Sequence, residues 1–351
     1  MLAWSHVKTI GVDLWDGQVR GNGRNVATIM RPAQRVPRES ARDLFLRGYA
    51  QLADQARGVE EPGLAILAVD EATGRAAGMV KLVARVGRPV AAIVGRHDHC
   101  DLFLQGSERL ALRQLAVVLD PVTSWKRGET AVRYRVMDLR THDGMLDEEG
   151  RVLRGLRAEG PAVLRCAGYT LFITQLGDPS DYPERASDAW QMLPERVYFD
   201  ELAVSAGGSL PSFRMPNHRE TRQSVIIRTQ GPRDTNHGIA RGNAPDDTAG
   251  QLEIIGPNRS ALFAIGQSAL RDGILIGRYD RCDAASAIDD GSMSRVHALL
   301  VHQDDRLLAI DTASCNGTRI VGAEKQRVNV IEPGCQISLG KHTIARWRWL
   351  S

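Results

Sequence analysis

Three short polar stretches near the end of the chain carry side chains that could bind an anion. They lie between apolar runs, at residues 277–283, 292–298 and 311–318. Arg278 and Arg295 supply guanidinium groups, Ser294 supplies a hydroxyl and Asn316 an amide. Phosphate oxygens are bound by this mixture of positive charge and N–H or O–H donors. The residues therefore predict a phosphate-binding site, since neither a metal-binding trio nor a nucleophile beside a base lies among them.

Apolar segments on either side of the stretches predict the strands of a β-sandwich, with the stretches as loops at one end. The predicted strands are residues 252–255, 261–265, 273–276, 296–301, 307–310, 328–331 and 337–339. The last segment, residues 344–350, alternates arginine with tryptophan and apolar residues. Interleaved Arg and Trp can stack on nucleic acid, but a closing strand with one buried face also explains the alternation.

The order of the three stretches resembles that of the forkhead-associated (FHA) domain, a β-sandwich that reads phosphothreonine peptides. The resemblance rests on Gly277-Arg278, then Ser294-Arg295-x-His297, then Ser314-x-Asn316-Gly317-Thr318. Each piece alone is a weak signal, whereas the ordered set within about a hundred residues is specific.

The resemblance implies a role for each residue of the three stretches. Arg278 and Ser294 would hold the phosphate, and Arg295 would occupy the neighbouring contact position. Asn316 would hydrogen-bond the peptide backbone, with Cys315 beside it. The residues implied to be structural in the binding loops are Gly277, His297 and Gly317. From the residues alone, Asn316-Gly317 is also an ordinary hairpin turn, His297 a buried core histidine and Cys315 a packing residue.

An earlier segment of the chain repeats the pattern. Adding 182 to the residue number places Gly95 on Gly277, Arg96 on Arg278, Cys100 on Cys282 and Asp101 on Asp283. Continued without a gap, the alignment places Leu112 on Ser294, Arg113 on Arg295 and Leu115 on His297. Residues 138–145 then mirror residues 311–318, with Asp143 in place of Asn316. The chain is thus predicted to carry the same module twice.

The first copy is predicted to have lost the phosphate chemistry, because Leu112 offers no donor and Asp143 would repel an anion. We expect a degenerate FHA-like sandwich over residues 63–176. His97, His99 and Cys100 could bind a metal if taken alone. As a loop of the repeated module they need no metal, and we expect none.

The remaining residues are predicted to be an N-terminal segment of uncertain structure (residues 1–62) and a long, partly disordered linker (residues 177–250), followed by the FHA-like domain over residues 251–351. In the N-terminal segment, residues 25–30 are a candidate strand, and Ser40 is expected to cap a helix that ends at Ala56. Within the linker, residues 186–204 are expected to hold a short helix or strand, and residues 225–227 form an apolar patch that could dock on a neighbour. The threonines of the linker are interpreted as ordinary linker residues, although one of them could be phosphorylated and bound by the second module. These threonines are Thr221, Thr229, Thr235 and Thr248.

Composition sets the remaining expectations. The net charge of the 351 residues is +3, which does not favour nucleic-acid binding. The five cysteines are scattered and odd in number, which indicates free thiols in a reducing compartment. No apolar run is long enough to cross a membrane, so we expect a cytoplasmic protein.

The predicted fold is all-β, with two FHA-like β-sandwiches joined by the linker. The predicted function is that of a phosphothreonine-dependent adaptor downstream of a Ser/Thr kinase, with that kinase or its substrate as a candidate partner. The alternative is a scaffold whose sandwiches make phosphate-independent protein contacts. We expect no enzymatic activity and no cofactor, and the oligomeric state stays open.

Overall fold

Most elements of the structure are β-strands, which confirms the predicted fold class. The computed structural model describes residues 39–126, 130–201, 221–229, 239–240, 247–303 and 305–350. The elements given below all belong to the unit formed by residues 40–351. The candidate strand at residues 25–30 lies outside the described residues.

The first half of the chain forms a sandwich of two sheets. Its strands are β1 (Gly63–Asp70), β2 (Ala76–Val83), β3 (Val90–Gly95), β4 (Leu102–Phe103), β5 (Leu115–Leu119), β6 (Arg133–Asp138), β7 (Met145–Asp147), β8 (Val152–Leu153), β9 (Gly155–Glu159), β10 (Ala162–Cys166), β11 (Tyr169–Leu176), β12 (Glu195–Asp200) and β13 (Gln223–Thr229). One sheet has the order β2-β1-β11-β10-β7-β8, and the other has the order β12-β13-β9-β6-β5-β3-β4. Alternate side chains of both sheets, such as Ile66 and Val117, meet in a buried core.

Two helices cover the outer face of the first of these sheets. Helix α1 (Ala41–Ala56) begins as predicted at Ser40, whose hydroxyl accepts a hydrogen bond from the Asp43 N–H. Phe45 of α1 is buried and packs edge-on against Phe172 of β11, with 5.3 Å between ring centroids. Helix α2 (Ala186–Met192) completes this cluster. The face would otherwise expose alternate apolar residues of β1 and β11.

Part of the predicted linker contributes strands to the first sandwich instead. Strand β13 pairs antiparallel with β9, and β12 pairs parallel with β13, so both extend the second sheet. Ile226, in the apolar patch of the predicted linker, is buried in the sandwich core. The free backbone groups at the β9 edge explain the difference, because a neighbouring strand can pair with them whatever its polarity. Thr229 and Thr248, also assigned to the linker, lie in strands.

The second sandwich begins with β14 (Ile239–Ala240). Its other elements are β15 (Thr248–Ile255), β16 (Ser260–Gly266), helix α3 (Gln267–Asp272), β17 (Ile274–Ile276), β18 (Ala298–Gln303), β19 (Arg306–Asp311), β20 (Thr318–Ile320), β21 (Val328–Ile331), β22 (Gln336–Leu339) and β23 (Thr343–Trp349). The sheets have the orders β14-β16-β15-β23-β22-β20 and β17-β18-β19-β21. The alternating tail forms β23, whose Trp347 is buried in the core.

The two sandwiches pack directly against each other. Strands β3, β5 and β6 of the first present apolar side chains such as Ile93 and Val118 to Leu275 and Val301 of the second. Because β5 is buried along its whole length, both of its faces are covered. The four-stranded sheet of the second sandwich is therefore enclosed between its own core and the first sandwich.

Polar contacts surround this apolar interface. Asp101 of the first sandwich pairs with Arg327 of the second at 3.2 Å. In the other direction, Arg140 of the first sandwich pairs with Asp283 of the second. Among the described residues, no helix is long and apolar enough to cross a membrane.

Candidate functional site

The three polar stretches meet as loops at one end of the second sandwich. The Arg278 N–H donates to Ser294 O at 3.3 Å, which joins the first loop to the second. The Cys315 N–H donates to Ser294 Oγ at 3.0 Å, and Asn316 Nδ2 donates to Ser292 O at 2.7 Å. The structure thus brings Arg278, Ser294, Cys315 and Asn316 together, with Ser294 at the centre.

Gly277 is required where the first loop leaves β17. A Cβ at this position would lie 2.3 Å from Arg295 O and 2.9 Å from Val296 Cα. The absence of a side chain lets the two backbones approach closely enough for the Arg278 N–H to reach the second loop. Gly277 therefore sets the distance between Arg278 and Ser294.

The guanidinium of Arg278 is held beside the second loop. Its Nε donates to Met293 O at 2.6 Å, while the residue itself is exposed. Within the described part of the chain, neither Arg278 nor the exposed Arg295 forms an ion pair with a carboxylate. Both positive charges are therefore available to an anionic ligand.

Ser294 offers a hydroxyl that is buried and already oriented. The side chain is 6% exposed, and its oxygen accepts the hydrogen bond from the Cys315 N–H. A hydroxyl can accept and donate at the same time, so its proton remains able to donate to a phosphate oxygen. The second loop therefore supplies a positioned donor next to the Arg278 guanidinium.

His297 ties the second loop to the third. Its ring is fully buried, and its Nδ1 accepts a hydrogen bond from the Ser294 N–H at 3.1 Å. In the neutral ring Nε2 then carries the proton; it faces Gly317 O at 3.2 Å, and the backbone N of Gly340 lies at the same distance from it. Burial lowers the pKa of His297, so the ring is neutral near pH 7. Both ring nitrogens are committed to loop contacts, which gives His297 a positioning role.

Asp311 orders the third loop. Its carboxylate accepts hydrogen bonds from the Ser314 N–H, the Ser314 hydroxyl and the Thr318 hydroxyl, at 2.9, 2.5 and 2.9 Å respectively. Two residues of the loop have left-handed backbone: Ala313 with φ of 61° and Gly317 with φ of 77°. The second favours glycine, while the first is an unusual conformation for alanine. Cys315 and Asn316 lie between them, and the thiol of Cys315 is exposed.

An arginine from the first sandwich also reaches this loop, which the sequence did not indicate. Arg113 is 4% exposed; its Nε donates to Thr312 O and its Nη2 to Ala313 O, each at 2.6 Å. The gapless alignment had matched Arg113 to Arg295. The two residues have different environments, since Arg295 is exposed at the site and Arg113 is buried at the interface.

The structure corrects that alignment by one residue. Strand pairing places Val94 opposite Leu115 in the first sandwich and Ile276 opposite Ala298 in the second. The segment between β17 and β18 is therefore one residue longer than the segment between β3 and β5. In the corrected alignment Ala111 matches Ser294, Leu112 matches Arg295, Arg113 matches Val296 and Gln114 matches His297.

Hydrogen bonds of the first sandwich support the corrected matches. The Ala111 N–H donates to Gln114 Oε1 at 3.0 Å, and Gln114 Nε2 donates to Gly144 O at 3.4 Å. These two bonds correspond to those that His297 makes in the second sandwich. Arg96 Nε donates to Leu110 O at 2.6 Å, which is the contact that Arg278 makes with Met293 O.

The first sandwich lacks the hydroxyl and the amide of the site. Ala111 has no donor where Ser294 has its hydroxyl, and Asp143 stands at the position of Asn316. Asp143 pairs with Arg109 at 2.9 Å and contacts His142 at 2.9 Å. The hydrogen bonds from His142 and Arg109 lower the pKa of Asp143, so a negative charge is held at this end of the first sandwich.

His97, His99 and Cys100 do not form a metal-binding group. No cluster of three potential metal ligands occurs in the part of the chain that the structure describes. The His97 ring contacts Asp98, and burial lowers its pKa. The Cys100 thiol donates to Leu112 O at 3.3 Å, as the Cys282 thiol does to Arg295 O.

Comparisons with known proteins give a family match within the second sandwich. Residues 274–340 match the FHA domain family. The first FHA domain of Mycobacterium tuberculosis Rv1747 is 21% identical, with a TM-score of 0.23, and the match covers 29% of this chain and 97% of that one. The FHA domain of Chlamydia trachomatis CT664 is 21% identical, with a TM-score of 0.25, over 28% of this chain and 96% of that one.

A further match is to a structure described as part of a "structural and functional analysis of phosphothreonine-dependent FHA domain interactions". It is 24% identical, with a TM-score of 0.24, and the match covers 29% of this chain and 96% of that one. A comparison with curated proteins gives no match. The family match places an FHA domain at residues 274–340, which span all three polar loops.

Proposed function

We propose that the second sandwich binds a phosphothreonine segment of a partner protein and that the chain acts as an adaptor downstream of a Ser/Thr kinase. Arg278 and Ser294 bind the phosphate, Arg295 contacts it or its neighbour, and Asn316 bonds the peptide backbone beside Cys315. FHA domains are phosphothreonine-binding modules of protein interaction, and the family match covers these residues. The kinase itself or its substrate is the candidate partner.

One observation carries this proposal: the Arg278 guanidinium, which has no carboxylate partner among the described residues, and the oriented Ser294 hydroxyl lie on adjacent loops. The bond from Arg278 Nε to Met293 O anchors the guanidinium beside the residue that precedes Ser294. The bond from the Cys315 N–H fixes the Ser294 hydroxyl, which keeps its own proton for a ligand. Because both donors are positioned before binding, little side-chain entropy is lost when phosphate arrives.

The test compares matched arginines of the two sandwiches. Binding of the full chain to phosphothreonine peptides is measured by isothermal titration, with the unphosphorylated peptides as reference. Hydrogen bonds to charged groups contribute about 1.5–3 kcal/mol, so Arg278→Ala should weaken phosphopeptide binding about 10- to 150-fold. Ser294→Ala should weaken it about tenfold or more. Arg96→Ala removes the same backbone contact from the first sandwich and should leave the affinity unchanged.

Equal binding of phosphorylated and unphosphorylated peptides would contradict the proposal. It would favour the second candidate, a scaffold that makes phosphate-independent contacts. The apolar contact between the two sandwiches supports this candidate, because such a face already serves as a protein-binding surface within the chain. Retained phosphopeptide binding by both Arg278→Ala and Ser294→Ala would also count against the proposed site.

We also propose that the first sandwich is a copy of the same module without its phosphate site. The repeated contacts of Arg96, Cys100 and Gln114 support this origin. Replacement of the serine by Ala111 and of the amide by Asp143 accounts for the loss of anion binding.

A non-enzymatic role fits the chemistry of the site. His297 is buried with both nitrogens bonded to the loops, so it is not placed to activate a nucleophile. The thiol of Cys315 contacts the Arg113 guanidinium, which is a cation and not a base. We therefore assign these residues to binding.

A further inference from the structure

The side chain of Arg113, in the first sandwich, reaches the third binding loop of the second sandwich. Its guanidinium is buried in the interface and donates two hydrogen bonds, to the carbonyls of Thr312 and Ala313. Both distances are 2.6 Å, and a charged donor makes stronger hydrogen bonds than a neutral one. The guanidinium thus hydrogen-bonds two successive carbonyl groups of the third loop.

Thr312 and Ala313, whose carbonyls accept these bonds, lie next to the groups proposed to bind the ligand. Ala313 has left-handed backbone with φ of 61°, a conformation that costs about 1–2 kcal/mol for a residue with a Cβ. Two residues later, the Cys315 N–H orients the Ser294 hydroxyl, and Asn316 follows. A bond that holds Ala313 in this conformation therefore also holds the groups proposed to contact phosphate and peptide.

Among the described residues, no arginine of the second sandwich donates to the backbone of the corresponding loop of the first, residues 138–145. The residue of the second sandwich that corresponds to Arg113 is Val296, which is buried in the apolar interface and has no side-chain donor. The corresponding loop of the first sandwich contains Arg140, with φ of 55°, whose side chain reaches out to Asp283 instead. The sandwich that keeps the phosphate chemistry is thus the one whose loop is held by its neighbour.

Contacts on the other side of Arg113 fix its position. Its backbone carbonyl accepts a hydrogen bond from Arg281 of the first polar loop at 3.4 Å. Arg113 therefore connects two of the three loops of the second sandwich through one residue of the first.

We propose that Arg113 is a positioning residue for phosphopeptide binding, so that the first sandwich is a working part of the binding site of the second. This inference rests on the proposed function, which it deepens. It identifies the role of the first sandwich: this sandwich binds no phosphate itself but sets the shape of the loop that carries Cys315 and Asn316.

The experiment uses the full chain and two substitutions of Arg113. Arg113→Met keeps much of the apolar stem but leaves the carbonyls of Thr312 and Ala313 without their donor, whereas Arg113→Lys keeps the charge and can reach one of them. The control is Arg306→Met, because Arg306 also bridges the sandwiches, by a 2.6 Å bond from its Nη1 to Gly87 O. This bond lies away from the binding loops.

The first measurement is amide hydrogen exchange in the free protein. Residues 312–318 should exchange at least tenfold faster in Arg113→Met, with a smaller change in Arg113→Lys and none in Arg306→Met. The second is phosphopeptide affinity, which should fall about tenfold in Arg113→Met and less in Arg113→Lys. A loop-mediated effect also predicts coupling: in an Asn316→Ala background, Arg113→Met should lower the affinity by less than twofold.

Several results would overturn the inference. One is a folded Arg113→Met protein whose amide exchange at residues 312–318 and phosphopeptide affinity equal those of the wild type. Another is full additivity of the affinity losses caused by Arg113→Met and Asn316→Ala. If Arg113→Met does not melt cooperatively, Arg113→Lys decides by the same criteria. If the wild-type chain binds no phosphopeptide, the proposed function fails, and unchanged exchange in the variants would then separately refute the support of the loop by Arg113.

Discussion

Gly277→Ala tests whether close backbone contact holds the first two loops of the site together. Gly277 lies opposite the segment that contains Ser294 and Arg295. An added Cβ would lie 2.3 Å from Arg295 O and 2.9 Å from Arg295 C. An ordinary contact needs about 3.5 Å or more, so the segments must separate by about 1 Å. Both clashing atoms belong to the backbone, and no rotation of a side chain can relieve the clash.

The cost follows from the contacts that this separation disturbs. Overpacking of a close contact typically costs about 1–3 kcal/mol. The separation also weakens the bonds from the Arg278 N–H to Ser294 O and from the Tyr279 N–H to Arg295 O, each worth about 1 kcal/mol. We therefore expect Gly277→Ala to lower the free energy of unfolding by about 3–5 kcal/mol. Phosphopeptide affinity should fall as well, because Arg278 and Ser294 move apart.

Urea denaturation followed by circular dichroism measures the effect, and Gly291→Ala is the matched control. Gly291 lies near the same loop, but an added Cβ would have no atom within 4 Å. Its substitution should change the free energy of unfolding by less than about 0.5 kcal/mol. If Gly277→Ala proved as stable as Gly291→Ala, with unchanged peptide affinity, the proposed role of this close contact would be refuted.

Substitutions at two further sites probe the buried polar groups. His297→Ala leaves the Ser294 N–H without its acceptor and should lower the free energy of unfolding by about 2–4 kcal/mol. His297→Gln should lower it much less, because Gln114 makes the equivalent bonds in the first sandwich. Equal losses of thermal stability in both variants would contradict this expectation. Burial raises the pKa of Asp283 to about 6, so its protonated form is favoured in the folded state and its contribution to stability falls as pH rises from about 4 to about 6. Relative to Asp283→Asn, the wild type should lose up to about 3 kcal/mol over this range in urea titrations at pH 4 and 7, and parallel pH profiles would refute the shift.

Local signals explain which parts of the fold were predictable. Helix α1 was predicted with its start at Ser40, because an N-cap hydroxyl and a carboxylate three residues later act within one turn. The strands of both sandwiches follow from alternation or from continuous apolar runs. The meeting of the three loops follows from their order along strands that lie side by side. The helix and the strands are encoded within a few residues of where they act.

The contributions of distant segments were not predictable in this way. Strands β12 and β13 lie in sequence assigned to a linker, where a short helix or strand within residues 186–204 and a docking apolar patch at residues 225–227 were expected. The pairing of β13 with the edge of β9, and of β12 with β13, depends on backbone groups rather than on side-chain pattern. The one-residue error in the internal alignment has a similar origin, since Arg113 and Arg295 coincide by type while the backbone pairing differs. One available signal was the continuous apolar run of β5, because a strand apolar on both faces needs a cover on each side.

The geometry of the interface explains why a sandwich without a phosphate site would be retained. Removal of the first sandwich would expose Leu275, Leu299 and Val301 of the second to water and leave the carbonyls of Thr312 and Ala313 without the Arg113 donor. These contacts are made by the apolar face and by the Arg113 guanidinium, whereas Asp143 pairs with Arg109 and Ala111 has only a methyl side chain. On the proposed assignment of the first sandwich as a copy without a phosphate site, selection can act on the support that it gives the second. On this view substitutions at Ala111 or Asp143 are neutral for phosphopeptide binding, while substitutions at Arg113 are not.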